Sequence, residues 1–94
     1  TSDEIKNINN ISVKLNINGE NRQNGNTSSM IFNFNSLISH ISQFMTLFPG
    51  TIITTGTPAG TAMEMQNPKF LQTGDKIDIE VENLGAQRHS IISE

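Results

Sequence analysis

The chain has 94 residues, a formal net charge of −3, no cysteine, and neither Trp nor Tyr. That balance gives no basic footprint for nucleic acid or an anionic lipid surface, and it excludes a disulfide framework and thiolate chemistry. With 34 % hydrophobic residues the core is modest, since a domain this small buries roughly 60–65 % of the surface its unfolded chain exposes.

No apolar run approaches the roughly 20 residues that span a bilayer. Thr1 to Lys6 does not resemble a signal peptide and reads as the middle of a chain. The absence of cysteine leans towards a cytoplasmic protein. Thr1 to Asn10 is a polar, extended lead-in. Ile11, Val13, Leu15 and Ile17 then alternate with Ser12, Lys14 and Asn16, the period of a half-buried strand. Asn18-Gly19 predicts a two-residue hairpin turn, because a type I′ turn needs positive φ at both central positions. Glu20 to Gln23 returns as the partner strand, and Asn24-Gly25-Asn26 is a second turn signal.

An amphipathic helix follows, with Asn35 or Ser36 able to cap it. Leu37, Ile38, Ile41, Phe44 and Met45 fall on one face at helical spacing and read as core. The helix must end before Pro49, since the residue preceding a proline is pushed out of the helical region. His40 sits at the edge of the apolar face as an ordinary boundary histidine.

Leu47 to Gly60 organises the rest. Pro49-Gly50 makes a corner, and Thr51 to Thr55, β-branched throughout, predicts a short, largely buried strand. Gly56, Thr57, Pro58, Ala59 and Gly60 form a loop of little bulk, through which backbone N–H groups and the Thr57 hydroxyl can approach an anionic or carbonyl-bearing ligand. An ordinary strand ending in a sharp turn accounts for the same residues. Thr61 to Phe70 is polar and irregular, and Leu71 to Asp75 is another corner. Ile77, Ile79 and Val81 alternate with Asp78, Glu80 and Glu82, placing three carboxylates along a solvated face where the strand spacing spreads them apart. Asn83-Leu84-Gly85 turns the chain into a last strand, Gln87 to Ile92, which carries His89. The predicted class is mainly β (α+β) with one amphipathic helix, over residues 1–94.

Val13 to Phe32, Ser39 to Gly60, Leu71 to Asp75 and Ile77 to Gly85, in that order, resemble the C-terminal half of the catalytic domain of the fumarylacetoacetate hydrolase family. Two runs carry the resemblance in combination: Arg-Gln-x-Gly-Asn-Thr at 22–27 and Thr-Gly-Thr-Pro-Ala-Gly at 55–60. The resemblance implies a partial fumarylacetoacetase-like mixed β roll, usually assembled as a homodimer. It implies cleavage or rearrangement of β-diketo and 2-keto or 2-hydroxydienoic acids, with Mg²⁺ or Mn²⁺ held by carboxylates and an enolate stabilised. Thr57 matches the family threonine that contacts the substrate's carboxylate or carbonyl end, with Gly56 and Gly60 shaping its loop. The family's Glu-x-Glu pair, later Asp and catalytic lysine match nothing here, so no metal ligand or catalytic residue is assigned. Thr51 stands where the family has Asp after Pro-Gly, Ser29 where it has Asp before Met-Ile-Phe, and Thr61-Ala62 where Val-Gly is common.

Three classes of function follow. The chain is part of a metal-dependent keto-acid hydrolase, lyase or isomerase; or a truncated, inactive remnant that associates through strand edges; or a small β binding module whose Thr57 loop takes a carboxylate without catalysis. No paired carboxylates or nucleophile–base pair is readable here.

Overall fold

The computed structural model describes residues 2–94. Four antiparallel strands form one sheet in the order β2-β1-β3-β4, where β1 is Ser12–Ile17, β2 Glu20–Asn26, β3 Lys76–Val81 and β4 Gly85–Ser90. The central pair explains the alternation in the sequence. Val13 faces Val81, Leu15 faces Ile79 and Ile17 faces Ile77, an apolar stripe of cross-strand pairs. Lys14 lies opposite Glu80 on the other face. Ile11, just before β1, is 5 % exposed and is the one buried hydrophobic among the described residues.

The Asn18-Gly19 hairpin forms as expected, with φ of 51° and 81°. Asn18 also ties it to β3, donating from Nδ2 to Asp75 Oδ1 at 2.9 Å and accepting the Lys76 N–H at Oδ1 at 2.9 Å. The turn expected at Asn24-Gly25-Asn26 does not exist: these residues continue β2, pairing with Lys14, Val13 and Ser12. Gly25 serves a close approach there, since a Cβ on it would lie 2.6 Å from Pro58 Cγ. The register of β1 and β2 shifts between Leu15 and Asn16, leaving Arg22 as an extra residue between Asn21 and Gln23. That is a β-bulge.

The helix, α1, runs Phe34–Ser42 and is capped two residues earlier than expected: Asn33 Oδ1 accepts the Ser36 N–H at 2.9 Å. It ends at Ser42, so Phe44 and Met45 lie beyond it, 76 % and 60 % exposed, and are not core. Leu37 and Ile41 are half-buried, Ile38 is exposed, and the exposed His40 meets the Phe44 ring edge-on at 5.2 Å.

Thr51 to Thr55 is not a buried strand. No neighbouring strand pairs with it, and Ile52 is 88 % exposed. β-branched residues favour a strand only where a ladder and a packed face reward them, and here neither is present. The lead-in is not extended throughout either: Ser2–Glu4 is a short 3₁₀ turn. The last strand spans Gly85–Ser90 and stops before Ile92.

The molecule does not close on itself. Its accessible surface is 7749 Å², whereas a compact monomer of 10.3 kDa exposes about 5,400 Å². The radius of gyration, 15.8 Å, exceeds the about 12 Å of a compact domain of this length. Packing between elements is concentrated within the sheet, and among the described residues no helix is long and apolar enough to cross a membrane.

Candidate functional site

The Gly56–Gly60 loop is docked on β2 at three points. Gln23 donates from Nε2 to Thr57 Oγ1 at 2.8 Å and to the Pro58 carbonyl at 2.7 Å. The Pro58 ring lies over Gly25, and Gly60 crosses the backbone of Arg22 so closely that a Cβ would collide with the Arg22 carbonyl oxygen. Gly60 has φ of 106°, so its backbone conformation and its close approach both select glycine. Gly56 has open space around it, and its φ of 86° alone accounts for the residue type. Thr57 is exposed at the tip, with its hydroxyl held from behind by Gln23.

The backbone donors at the far end of the loop are taken internally. Glu64 Oε2 accepts the N–H of Gly60 at 2.7 Å and of Thr61 at 3.0 Å, closing a capping box on the 3₁₀ turn Ala62–Glu64. Those two N–H bonds hold the Glu64 carboxyl below its ordinary range. Of the N–H groups in the Gly56–Gly60 loop, that of Gly60 is therefore not open to a ligand, because the chain supplies its own carboxylate there.

The corner before the loop closes without a carboxylate at position 51. Pro49 and Gly50 form a turn in which Gly50 has φ of 88° and the Thr51 N–H donates to the Phe48 carbonyl at 3.0 Å. Thr51 Oγ1 then accepts the Phe48 N–H at 3.1 Å, the kind of loop-closing contact a carboxylate would supply. Thr61, replacing the common Val, is the N-cap of the 3₁₀ turn.

The Arg22–Thr27 run has a structural reason at nearly every residue. Arg22, at the bulge, is drawn under segment 65–69: its side chain is 10 % exposed, with Nη1 3.2 Å from Met65 Sδ and 3.4 Å from the Lys69 carbonyl. Its Nε has only a loose ion pair with Glu20, at 3.7 Å. Asn26 Oδ1 accepts the Ser28 N–H. Thr27 Oγ1 accepts the Ile11 N–H at 2.9 Å and donates to the Ile8 carbonyl at 2.8 Å, stitching the lead-in to β1. A polar hollow of about 470 Å³ opens beside Arg22, Glu20, Lys69 and Asp75. It does not include Gly56, Thr57 or Gly60.

Several acidic side chains are spent on the fold. Asp75 accepts the Gln72 N–H and the Asn18 amide, and those two bonds, in that order, lower its pKa. Asp78 pairs with Arg88 at 3.2 Å, and Glu82 accepts the Ser12 N–H at 3.0 Å. Among the described residues no three His, Asp or Glu side chains converge as they would around an ion. These residues do not fit a divalent metal. His89 lies on β4 with Nε2 3.3 Å from Gln87 Oε1.

The fold that carries this loop is similar to that of known proteins. The family model described as fumarylacetoacetate (FAA) hydrolase C-terminal matches residues 1–92, and the chain belongs to that family. An uncharacterized protein of Staphylococcus aureus is 46 % identical over 85 residues, covering 90 % of this chain and 28 % of the relative. The fumarylacetoacetate hydrolase of the psychrophile Exiguobacterium antarcticum superimposes with a TM-score of 0.92 at 35 % identity, over 100 % of this chain and 34 % of that one. Maleylpyruvate hydrolase of Sphingobium sp. SYK-6, solved with manganese(II) and pyruvate, gives 0.84 at 30 % identity, over 98 % and 32 %. The chain thus spans about a third of the length of the proteins it matches.

Two residues central to this arrangement, Gln23 and Glu64, were not singled out by sequence reasoning. Glu64 carries a local signal, the Thr-x-x-Glu spacing from Thr61 of a capping box. Gln23 lies within the Arg-Gln-x-Gly-Asn-Thr run, yet its part in the loop shows only in the fold, because its partner lies 34 residues away.

Proposed function

We propose that this chain supplies the carboxylate-binding loop of a cytoplasmic, homodimeric enzyme that cleaves or rearranges β-diketo or 2-keto (2-hydroxydienoic) acids, as a hydrolase, lyase or isomerase acting through an enolate. The observation that carries the reading is the exposed Thr57 hydroxyl, fixed on a loop that Gln23, Gly25 and Arg22 hold rigidly against the sheet. Thr57 donates to the carboxylate or keto oxygen at one end of the substrate, while Gly56 and Gly60 give the loop its shape without filling the space before it. The reading places Mg²⁺ or Mn²⁺ on carboxylates outside the residues described here. It draws support from family membership and from a relative solved with manganese(II) and pyruvate.

The test is Thr57→Val in a full-length protein carrying this sequence. Titration with oxalate, a small dicarboxylate mimic of the keto-acid end, at saturating Mn²⁺ is expected to show about ten- to hundredfold weaker binding, the worth of one hydrogen bond to a charged group. Mn²⁺ affinity stays unchanged. Unaltered oxalate affinity overturns the proposal.

A second reading is a non-catalytic protein that associates with a longer relative through the all-exposed edge strand β4. Sedimentation of the 94-residue chain with and without a full-length relative separates the two.

A further inference from the structure

Gln23 is half-buried on β2, immediately after the bulge at Arg22, and its amide meets two oxygens of the loop. The Pro58 carbonyl can only accept, so the Gln23 atom 2.7 Å from it is the NH₂ nitrogen. The same nitrogen lies 2.8 Å from Thr57 Oγ1. It has two hydrogens, and both are used. Thr57 Oγ1 is therefore an acceptor towards Gln23 through one of its two lone pairs, and its single hydrogen is turned away from Gln23.

We infer that Gln23 biases the hydrogen-bond polarity of Thr57, occupying one lone pair of its hydroxyl and leaving the proton for a ligand that presents an acceptor oxygen there, a carboxylate or a keto group. The inference rests on the proposal that Thr57 contacts the ligand and adds what decides the chemistry of that contact. Without Gln23 the hydroxyl rotates freely and can present either its proton or its lone pairs. Gln23 is a positioning residue: it acts on the ligand through Thr57. It does not hold the loop alone, because the Pro58–Gly25 and Gly60–Arg22 contacts are independent of its amide.

The test is a double-mutant cycle in a full-length protein carrying this sequence, with oxalate affinity at saturating Mn²⁺ and Mn²⁺ affinity alone read separately. Gln23→Met, of similar length and without donors, is expected to weaken oxalate binding at least about fivefold. Gln23→Met in the Thr57→Val background is expected to weaken it no further, and in the Thr57→Ser background, which keeps a hydroxyl, to weaken it as in the parent. Mn²⁺ affinity and melting temperature stay near parental values in Gln23→Met. Additive losses in the cycle, or unchanged oxalate affinity in Gln23→Met while Thr57→Val is weakened, overturn the inference and leave the Thr57 contact standing. Should Gln23→Met melt early, the Thr57→Ser pair decides, because a purely structural loss reduces binding equally with valine or serine at position 57. If Thr57→Val itself binds normally, the proposed function falls, and the inference falls with it.

Discussion

The β1–β3 pair and the stretch from Phe44 to Gln72 are built from similar residues and end in different structures. In β1 and β3 the alternating Val, Leu and Ile meet each other across the ladder, so pattern and partner coincide. In the 44–72 stretch Phe44, Met45, Phe48, Ile52, Met63, Phe70 and Leu71 stay exposed, and the backbone is held by point contacts in place of a ladder. Apolar and β-branched residues specify a strand when a second strand is within the same chain to complete it. Where the covering surface is absent, the same composition gives an extended segment pinned at its glycines.

The sharpest way to break that contrast is Gly60→Ala. A Cβ there meets the Arg22 carbonyl oxygen at a backbone φ of 106°, so strain and overlap together should cost about 3–5 kcal/mol. Thermal unfolding should fall by ten degrees or more, about 4–8 °C per kcal/mol at this size; a near-parental melt would mean that the loop is not docked on β2. Gly25→Ala, pressing on the more adaptable Pro58 ring at 2.6 Å and 2.8 Å, should cost less, about 1–3 kcal/mol.

Ile79→Ala opens the apolar stripe opposite Leu15. Because Ile79 is half-buried, about 1–3 kcal/mol is expected, below the range for fully buried isoleucine. Ile52→Thr, at 88 % exposure, should change stability by no more than about 0.5 kcal/mol. Denaturant melts of these two variants test the contrast directly. A loss at Ile52 equal to that at Ile79 would show that the stretch is covered in solution.

The mildest effect concerns pH. Glu64 and Asp75 are held ionised more strongly in the folded chain than their ordinary values of 4.5 and 3.8. A carboxyl whose folded pKa is lowered stabilises above its unfolded value and loses that contribution as pH falls through the folded one. Hydrogen exchange of the Gly60 and Thr61 amides should therefore lose protection as pH falls below the ordinary carboxylate range while the β1–β3 ladder keeps its own. Retained protection at Gly60 and Thr61 down to pH 2 would show that something other than the Glu64 carboxylate holds them.

The readable features were those whose physics is local. Period-two alternation gave β1 and β3, Asn18-Gly19 gave the hairpin, and small residues after a Pro-Gly corner marked the Thr57 loop. The failures share one cause. Asn24-Gly25-Asn26 has turn chemistry, yet β1 extends alongside it and Pro58 claims the glycine. Thr51 to Thr55 has strand chemistry and no partner. Asn33, Asn35 and Ser36 are all competent caps, and only the backbone decides that Asn33 serves. In the site, the two runs holding Gln23 and Thr57 were visible and the bond between them was not, because a hydrogen bond across 34 residues leaves no trace in spacing.

The bulge at Arg22 makes the hairpin tolerant of length. Gln23 takes its facing from Leu15 across the ladder, and Arg22 is the residue left without a partner. A single residue gained or lost between Gly19 and Gln23 is therefore absorbed at the bulge, and Gln23 keeps its amide against the loop. Hairpin length should vary there even where the Thr57 loop is kept.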